Sequence, residues 1–234
     1  MKHRSKRFRR GKKKIKQDCC ILLDPGHGGV ADGAKCNGLV EKTLVLDIAL
    51  QTKSFLEKVG YKVKMTRDKD IEVPLLERTK IAQKENADIF VSIHANSSGG
   101  SPIPQGIESY YTNNAKITFN NNSKDFAYGN FDAQQEEENL INVINYQKSY
   151  MSYKLSKIIQ SALMFFTNKK NDLKIVDRGI KTENFLVLIS SPVPATLVEV
   201  GFITNSREAH LLGNQNYRKL VAYSIAQGIR KYFE

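Results

Sequence analysis

Four short stretches of this 234-residue chain hold side chains suited to hydrolytic chemistry: Asp24-Pro25-Gly26-His27-Gly28-Gly29, Glu41 with Lys42, Ser92-Ile93-His94-Ala95-Asn96, and Val198-Glu199-Val200-Gly201-Phe202. His27, Glu41 and His94 could supply the two imidazoles and one carboxylate of an open catalytic zinc site. In such a site three protein ligands hold the ion, and a fourth position stays free for water or substrate. Binding there lowers the pKa of water from ~15.7 to about 7, which provides a nucleophile at neutral pH. Taken singly, each residue has a plainer reading. His27 suits a turn, and His94 suits a core position bonded to backbone. Glu41 suits the positive end of a helix dipole, and Glu199 an ordinary strand end.

The elements that must position these side chains can be read from periodicity. Cys19 to Leu23 is a short apolar run stopped by Asp24-Pro25-Gly26, as expected for a buried strand. Leu44, Val45, Ile48, Ala49, Phe55, Leu56 and Val59 recur at helical spacing, so Glu41 opens a helix that Gly60 ends. Tyr61 to Thr66 alternates as a strand, and Pro74 to Asn86 reads as a helix with Pro in its first turn. Ile89-Phe90-Val91 is apolar on both faces, which places the strand from Asp88 to His94 centrally. Strands are further predicted at Gly106 to Thr112, Phe185 to Ile189 and Ala195 to Val200. Helices are predicted near Met151 to Thr167, Ser206 to Leu212 and Tyr217 to Phe233. This alternation predicts an α/β fold: one domain with a twisted, mixed, mostly parallel sheet covered by helices on both faces. Each reactive stretch then falls where a strand ends or a helix begins, the usual place for sites in open α/β sheets.

Composition limits the functional classes. With 41% hydrophobic residues and no tract long enough to span a bilayer, the chain reads as one soluble core. The formal charge of +12 suggests a nucleic-acid partner until its location is considered. Residues 1 to 16 hold ten Lys or Arg and no acid, and the remaining 26 basic and 24 acidic residues leave the body at +2. The body has no basic stripe, so nucleic acid is not an expected partner. Residues 1–18 read as a basic, disordered tail, either a solubilising segment or an attachment to anionic membrane or wall polymer. The apolar stretch after it is too short for the core of a cleavable signal. Cys19, Cys20 and Cys36 read as free thiols.

Taken together, the motifs resemble the zinc-dependent N-acetylmuramoyl-L-alanine amidases of the cell-wall hydrolase type, over nearly the whole span from Cys20 to Phe233. The resemblance is carried by Leu23-Asp24-Pro25-Gly26-His27-Gly28-Gly29, Glu41, Thr66-Arg67-Asp68, Glu77-Arg78-Thr79, Phe90-Val91-Ser92-Ile93-His94-Ala95-Asn96, Asp177-Arg178-Gly179 and Leu197-Val198-Glu199-Val200-Gly201-Phe202-Ile203-Thr204-Asn205. It implies that His27, Glu41 and His94 bind Zn2+ and that Glu199 is the catalytic acid. It also implies a peptidoglycan or muropeptide substrate cut between N-acetylmuramic acid and L-alanine, for wall remodelling or cell separation, and a location in the cell envelope. Arg67, Arg78 and Arg178 are expected to form structural ion pairs. Asn96 is read equally as orienting substrate or capping a turn.

Residues 19–234 would form the catalytic domain, with an inserted segment at about 113–146 that is rich in Asn, Gln, Glu and Ser. That segment reads as a mobile loop or, through Glu136-Glu137-Glu138, as a plug over the metal that an activator protein displaces. Two competing functions follow from the same residues. One is a zinc peptidase or deacylase acting on another wall amide; the other is a peptidoglycan-binding module without catalysis, which would require a lost ligand or a lost Glu199.

Overall fold

A computed structural model describes residues 19–113, 133–171 and 174–234; residues 1–18, with the expected basic tail, and 114–132 of the expected insertion lie outside the described residues. So do the side chains of 133–139, and with them the Glu136-Glu137-Glu138 run. The element order is β1 Cys20–Pro25, β2 Lys35–Cys36, β3 Leu39–Val40, α1 Glu41–Glu57, β4 Lys62–Met65, α2 Leu75–Lys84, β5 Ile89–Asn96 and β6 Ile107–Tyr111. It continues with α3 Ala133–Asn171, β7 Asp177–Thr182, α4 Leu186–Ile189, β8 Ala195–Phe202, α5 Ser206–Gly213 and α6 Gln215–Phe233.

Six strands form one sheet in the order β4-β1-β5-β8-β6-β7. The first four are parallel, β6 runs antiparallel to β8, and β7 is parallel to β6. The expected mixed, mostly parallel sheet of a single α/β domain is therefore present. β5 lies in the interior of the sheet, as its doubly apolar run requires.

The two-residue period of a strand divides the site from the main core. Ile21 and Leu23 of β1, Val91, Ile93 and Ala95 of β5, and Val198 and Val200 of β8 face the large core, which includes Leu44, Val45 and Ile48 of α1, Leu155, Ile159 and Leu163 of α3, and Val221, Ile225 and Ile229 of α6. Each such Leu, Ile or Val buried contributes ~1.5–3 kcal/mol. Leu22, Phe90, Ala195 and Leu197 point the other way, into a smaller core with Ala82 of α2 and Val187 and Leu188 of α4. One or two pleats further along the strands, this second face carries Asp24, Ser92, His94 and Glu199. Polar side chains therefore begin where the thin α2 and α4 layer ends.

Five elements depart from the sequence reading, two of them the unpredicted two-residue strands β2 and β3, which pair with each other in the loop before α1. Phe185 to Ile189 is not a strand: residues 186–189 form α4, with Val187 and Leu188 buried side by side while Leu186 and Ile189 are 43% and 38% exposed. Two adjacent buried residues fit a helical face and contradict strand alternation. β7 was not anticipated, because its Asp-Arg-Gly-Ile-Lys-Thr sequence shows no alternation at the sheet edge. Helix α3 begins at Ala133, well before the helix expected near Met151, so its first turns lie inside the segment at about 113–146 that the sequence marks as an insertion.

Candidate metal centre

The site is assembled from β1 outward. The Asp24 carboxylate is buried and accepts hydrogen bonds from Thr66 Oγ1 (2.6 Å), Arg78 Nη1 (2.7 Å) and Ser92 Oγ (2.8 Å). Arg78 also donates to the carbonyls of Pro25 (2.9 Å) and His27 (2.8 Å). Arg67 donates to those of Pro25 (3.0 Å) and Gly26 (2.7 Å). Two buried guanidinium groups thus hold three successive carbonyls and fix the turn in which His27 adopts φ 58, a left-handed conformation uncommon outside glycine. Arg78 makes the expected ion pair; Arg67 works through backbone carbonyls instead. Lys42 secures the following loop by bonding Asp32 (2.8 Å), Asp70 (3.0 Å) and the Gly29 carbonyl (2.7 Å).

Glu41, the first residue of α1, is buried and lies between the two imidazoles. Its Oε1 is 3.0 Å from His94 Nδ1, and its Oε2 is 3.2 Å from His27 Nε2. The backbone N–H groups of Ala95 (3.1 Å) and Ala34 (2.8 Å) donate to the same two oxygens. Burial opposes ionisation of this carboxyl, but the hydrogen bonds from His27 and His94 outweigh it and hold the group well below the usual carboxylate range. The rings of His27 and His94 meet edge to face with centroids 5.0 Å apart. One donor atom from each of His27, Glu41 and His94 falls within 4.8 Å of the others, forming a group able to hold a metal ion.

Two glycines leave room for this group. A Cβ on Gly26 would sit 2.2 Å from His94 Cε1, and one on Gly33 would sit 2.5 Å from Glu41 Oε2 at a backbone φ of +69. No larger residue fits either position without displacing a donor.

Glu199 stands beside the group, with its Cα paired with that of His94 across β5 and β8. Although the residue keeps some exposure, its Oε2 is shielded from solvent and has no hydrogen-bond partner. Burial pushes its carboxyl up to about 8, His94 opposes the shift, and Glu41 and Glu108 reinforce it. An unpartnered buried carboxyl oxygen is costly in a stable core, and such groups concentrate where a proton is moved.

Sequence reading missed Glu108 of β6. It is buried, pairs in register with Glu199, and accepts from Asn96 Nδ2 (2.6 Å), Tyr110 Oη (2.8 Å), Arg178 Nε (2.6 Å) and Lys181 Nζ. Asn96 is therefore committed to Glu108, while its Oδ1 accepts from the Ser97 N–H (2.8 Å). Arg178 forms the ion pair expected of it. The available signal was a single acid within the short strand Ile-Glu-Ser-Tyr-Tyr.

An open α/β sheet that carries a His-Glu-His donor group beside an unsatisfied carboxyl at the ends of its parallel strands has the composition of a metallohydrolase. The family described as N-acetylmuramoyl-L-alanine amidase matches residues 21–231, and the chain belongs to that family. It is 34% identical over 222 residues to N-acetylmuramoyl-L-alanine amidase AmiC of Neisseria meningitidis serogroup B, a match that covers 91% of this chain and 52% of that protein. The chain thus spans about half the length of this relative. The solved structure of N-acetylmuramoyl-L-alanine amidase AmiC2 of Nostoc punctiforme superposes with TM-score 0.71 at 31% identity, covering 92% of this chain and 96% of that one. The CwlD amidase of Clostridioides difficile, solved in complex with the GerS lipoprotein, superposes with TM-score 0.70 at 27% identity, covering 92% and 98%.

Proposed function

We propose that this chain hydrolyses the amide bond between N-acetylmuramic acid and the L-alanine of the peptidoglycan stem, with His27, Glu41 and His94 holding a zinc ion and Glu199 moving the proton. The observation that carries the reading is the unpartnered, shielded Oε2 of Glu199 beside the His-Glu-His group. Two imidazoles and one carboxylate form a donor set typical of catalytic zinc, which leaves a position open for water or substrate. The three donor atoms lie close enough to serve one ion, and the glycines at 26 and 33 keep side chains out of their way. When bound, zinc supplies Lewis acidity, which polarises an amide carbonyl and makes water acidic enough to attack at neutral pH.

The chain's own residues provide the rest. The Ala95 and Ala34 N–H groups orient the Glu41 carboxylate, and the Arg67 and Arg78 clamp fixes the His27 backbone. Glu199 Oε2 takes a proton from the attacking water and returns it to the alanine nitrogen as the amide breaks. A positioned general base of this kind contributes ~10² to 10⁴ in rate. The substrate places the activity in the cell envelope. Among the described residues no helix is long and apolar enough to cross a membrane. The segment at 113–146 remains the place proposed for an activator to act, and residues 1–16 remain the proposed attachment to anionic wall polymer or lipid.

Digestion of purified peptidoglycan by the zinc-loaded protein tests this function. The expected products are stem peptides with a new L-alanine amino terminus and uncut glycan strands. Cleavage within the peptide would favour the peptidase alternative, and no release at all would favour a binding module.

A further inference from the structure

Glu108, Arg178 and Lys181 form a charged group that the hydrolytic steps leave unused. His94, Glu199 and Glu108 are register partners on β5, β8 and β6, a row crossing three adjacent strands, and the Glu108 carboxylate extends it to Arg178 and Lys181 on β7. With neighbouring strands ~4.8 Å apart, the β7 backbone runs roughly 10 Å from that of Glu199, on the side away from the His-Glu-His group.

A single buried carboxylate requires one cation to balance it, and Glu108 has two, together with the neutral donors Asn96 and Tyr110. The trio therefore keeps one surplus positive charge. Among the described residues neither cation forms an ion pair with any other acid. Glu208 is occupied by the Gly106 and Phe202 N–H groups (both 2.7 Å), and Asp177 by Gln160 (2.6 Å) and the Gly179 N–H (2.9 Å). The Arg178 and Lys181 side chains are 32% and 38% exposed, whereas that of Glu108 is 2% exposed. Arg178 engages Glu108 through Nε and stacks its guanidinium 5.0 Å over the Phe202 ring, so its two Nη groups are without a partner among the described residues. A pre-positioned guanidinium with free donors is suited to binding a carboxylate.

We propose that Arg178 and Lys181 form a carboxylate-binding position for the substrate's stem peptide, and that Glu108 is the positioning residue that holds both cations there. The inference rests on the amidase reading above. An extended peptide advances ~3.3–3.6 Å per residue, so a carboxylate on the second stem residue reaches roughly 7 Å beyond the scissile nitrogen and meets the cations. The position would thus select stem peptides that carry a free carboxylate within two residues of the cut over those in which it is an amide.

The test uses two soluble muropeptides that differ only in whether the second stem residue carries a free carboxylate or a carboxamide. The zinc-loaded wild-type protein is expected to show kcat/KM at least ~10-fold higher on the carboxylate form, mainly through KM, as expected for one charge-assisted contact. Lys181→Gln with Arg178→Gln is expected to bring that ratio close to one, and Lys181→Arg to keep most of it. The proposal is overturned by a wild-type ratio of one or below, by a ratio that persists in the double variant, or by equal losses on both substrates, the sign of a purely structural role. If the wild-type protein turns over neither substrate, the amidase reading itself fails, and this proposal with it.

Discussion

His94 and Glu199 are Cα partners across the parallel strands β5 and β8. Their side chains therefore project from one face of the sheet, on backbones one strand spacing of ~4.8 Å apart. Because rigid strands set this relation, the two roles can be separated by mutation. Glu199→Gln should retain near-normal zinc and lose turnover by ~10² to 10⁴, since in the proposed mechanism it alters only the proton carrier. Metal analysis alongside kcat checks it, and full activity in this variant would make Glu199 structural.

The same carboxyl gives the metal-free protein a pH signature. Its folded pKa, raised to about 8, exceeds the ordinary value of 4.5, so its stabilising contribution is fully present below about 4.5 and is lost as pH rises through 8. His94 acts in the same direction. Burial opposes its charged form, but Glu41 and Glu199 together raise its pKa above 6.5. Glu41, held low, loses its contribution only at acid pH below this window. Urea denaturation should therefore show metal-free wild type losing stability between pH 5 and 8, by at most about 1.4 kcal/mol per pH unit for Glu199, and Glu199→Gln losing less. Parallel curves for the two proteins would contradict this.

Much of this site was legible in the sequence because its residues end or begin strongly patterned elements. His27 follows the apolar run of β1, His94 lies in doubly buried β5, and Glu41 opens a helix with regular apolar spacing. Glu108 escaped notice because one acid in an alternating strand reads as a solvent-facing residue. Only the antiparallel placement of β6 beside β8, which local pattern does not encode, turns that face toward Glu199. The same limit hid β7, whose partner is distant in sequence. The apolar stretch at Phe185 was misassigned because a run that short carries no usable period; its burial beneath the sheet decides for helix.

Arg78 should matter for both stability and metal affinity. Arg78→Met leaves the Asp24 carboxylate buried without its cation, a change that costs about 3–5 kcal/mol. It also frees the His27 carbonyl, so zinc affinity should fall ~10 to 100-fold. Arg78→Lys should recover part of the stability but not the affinity, because an ammonium cannot match the fork that grips Val73, Pro25 and His27 together. Denaturant melts and metal competition titrations check the two effects separately.

Removing residues 1–16 should leave turnover of a small soluble muropeptide unchanged, because this stretch holds none of the proposed ligands. Sedimentation with intact anionic sacculi or vesicles should weaken, most of all at low salt, where ten cationic side chains are least screened. Equal sedimentation of trimmed and full-length protein at low salt would rule out electrostatic attachment.

The central claim is that His27, Glu41 and His94 hold the ion on which the chemistry depends, and zinc stoichiometry of the purified protein read together with activity tests it most directly. The account predicts one zinc per chain in wild type and in Glu199→Gln, little or none in His94→Ala, and loss of activity in chelator that added zinc restores. Wild-type protein that carries no metal and still releases stem peptides in the presence of chelator would contradict it.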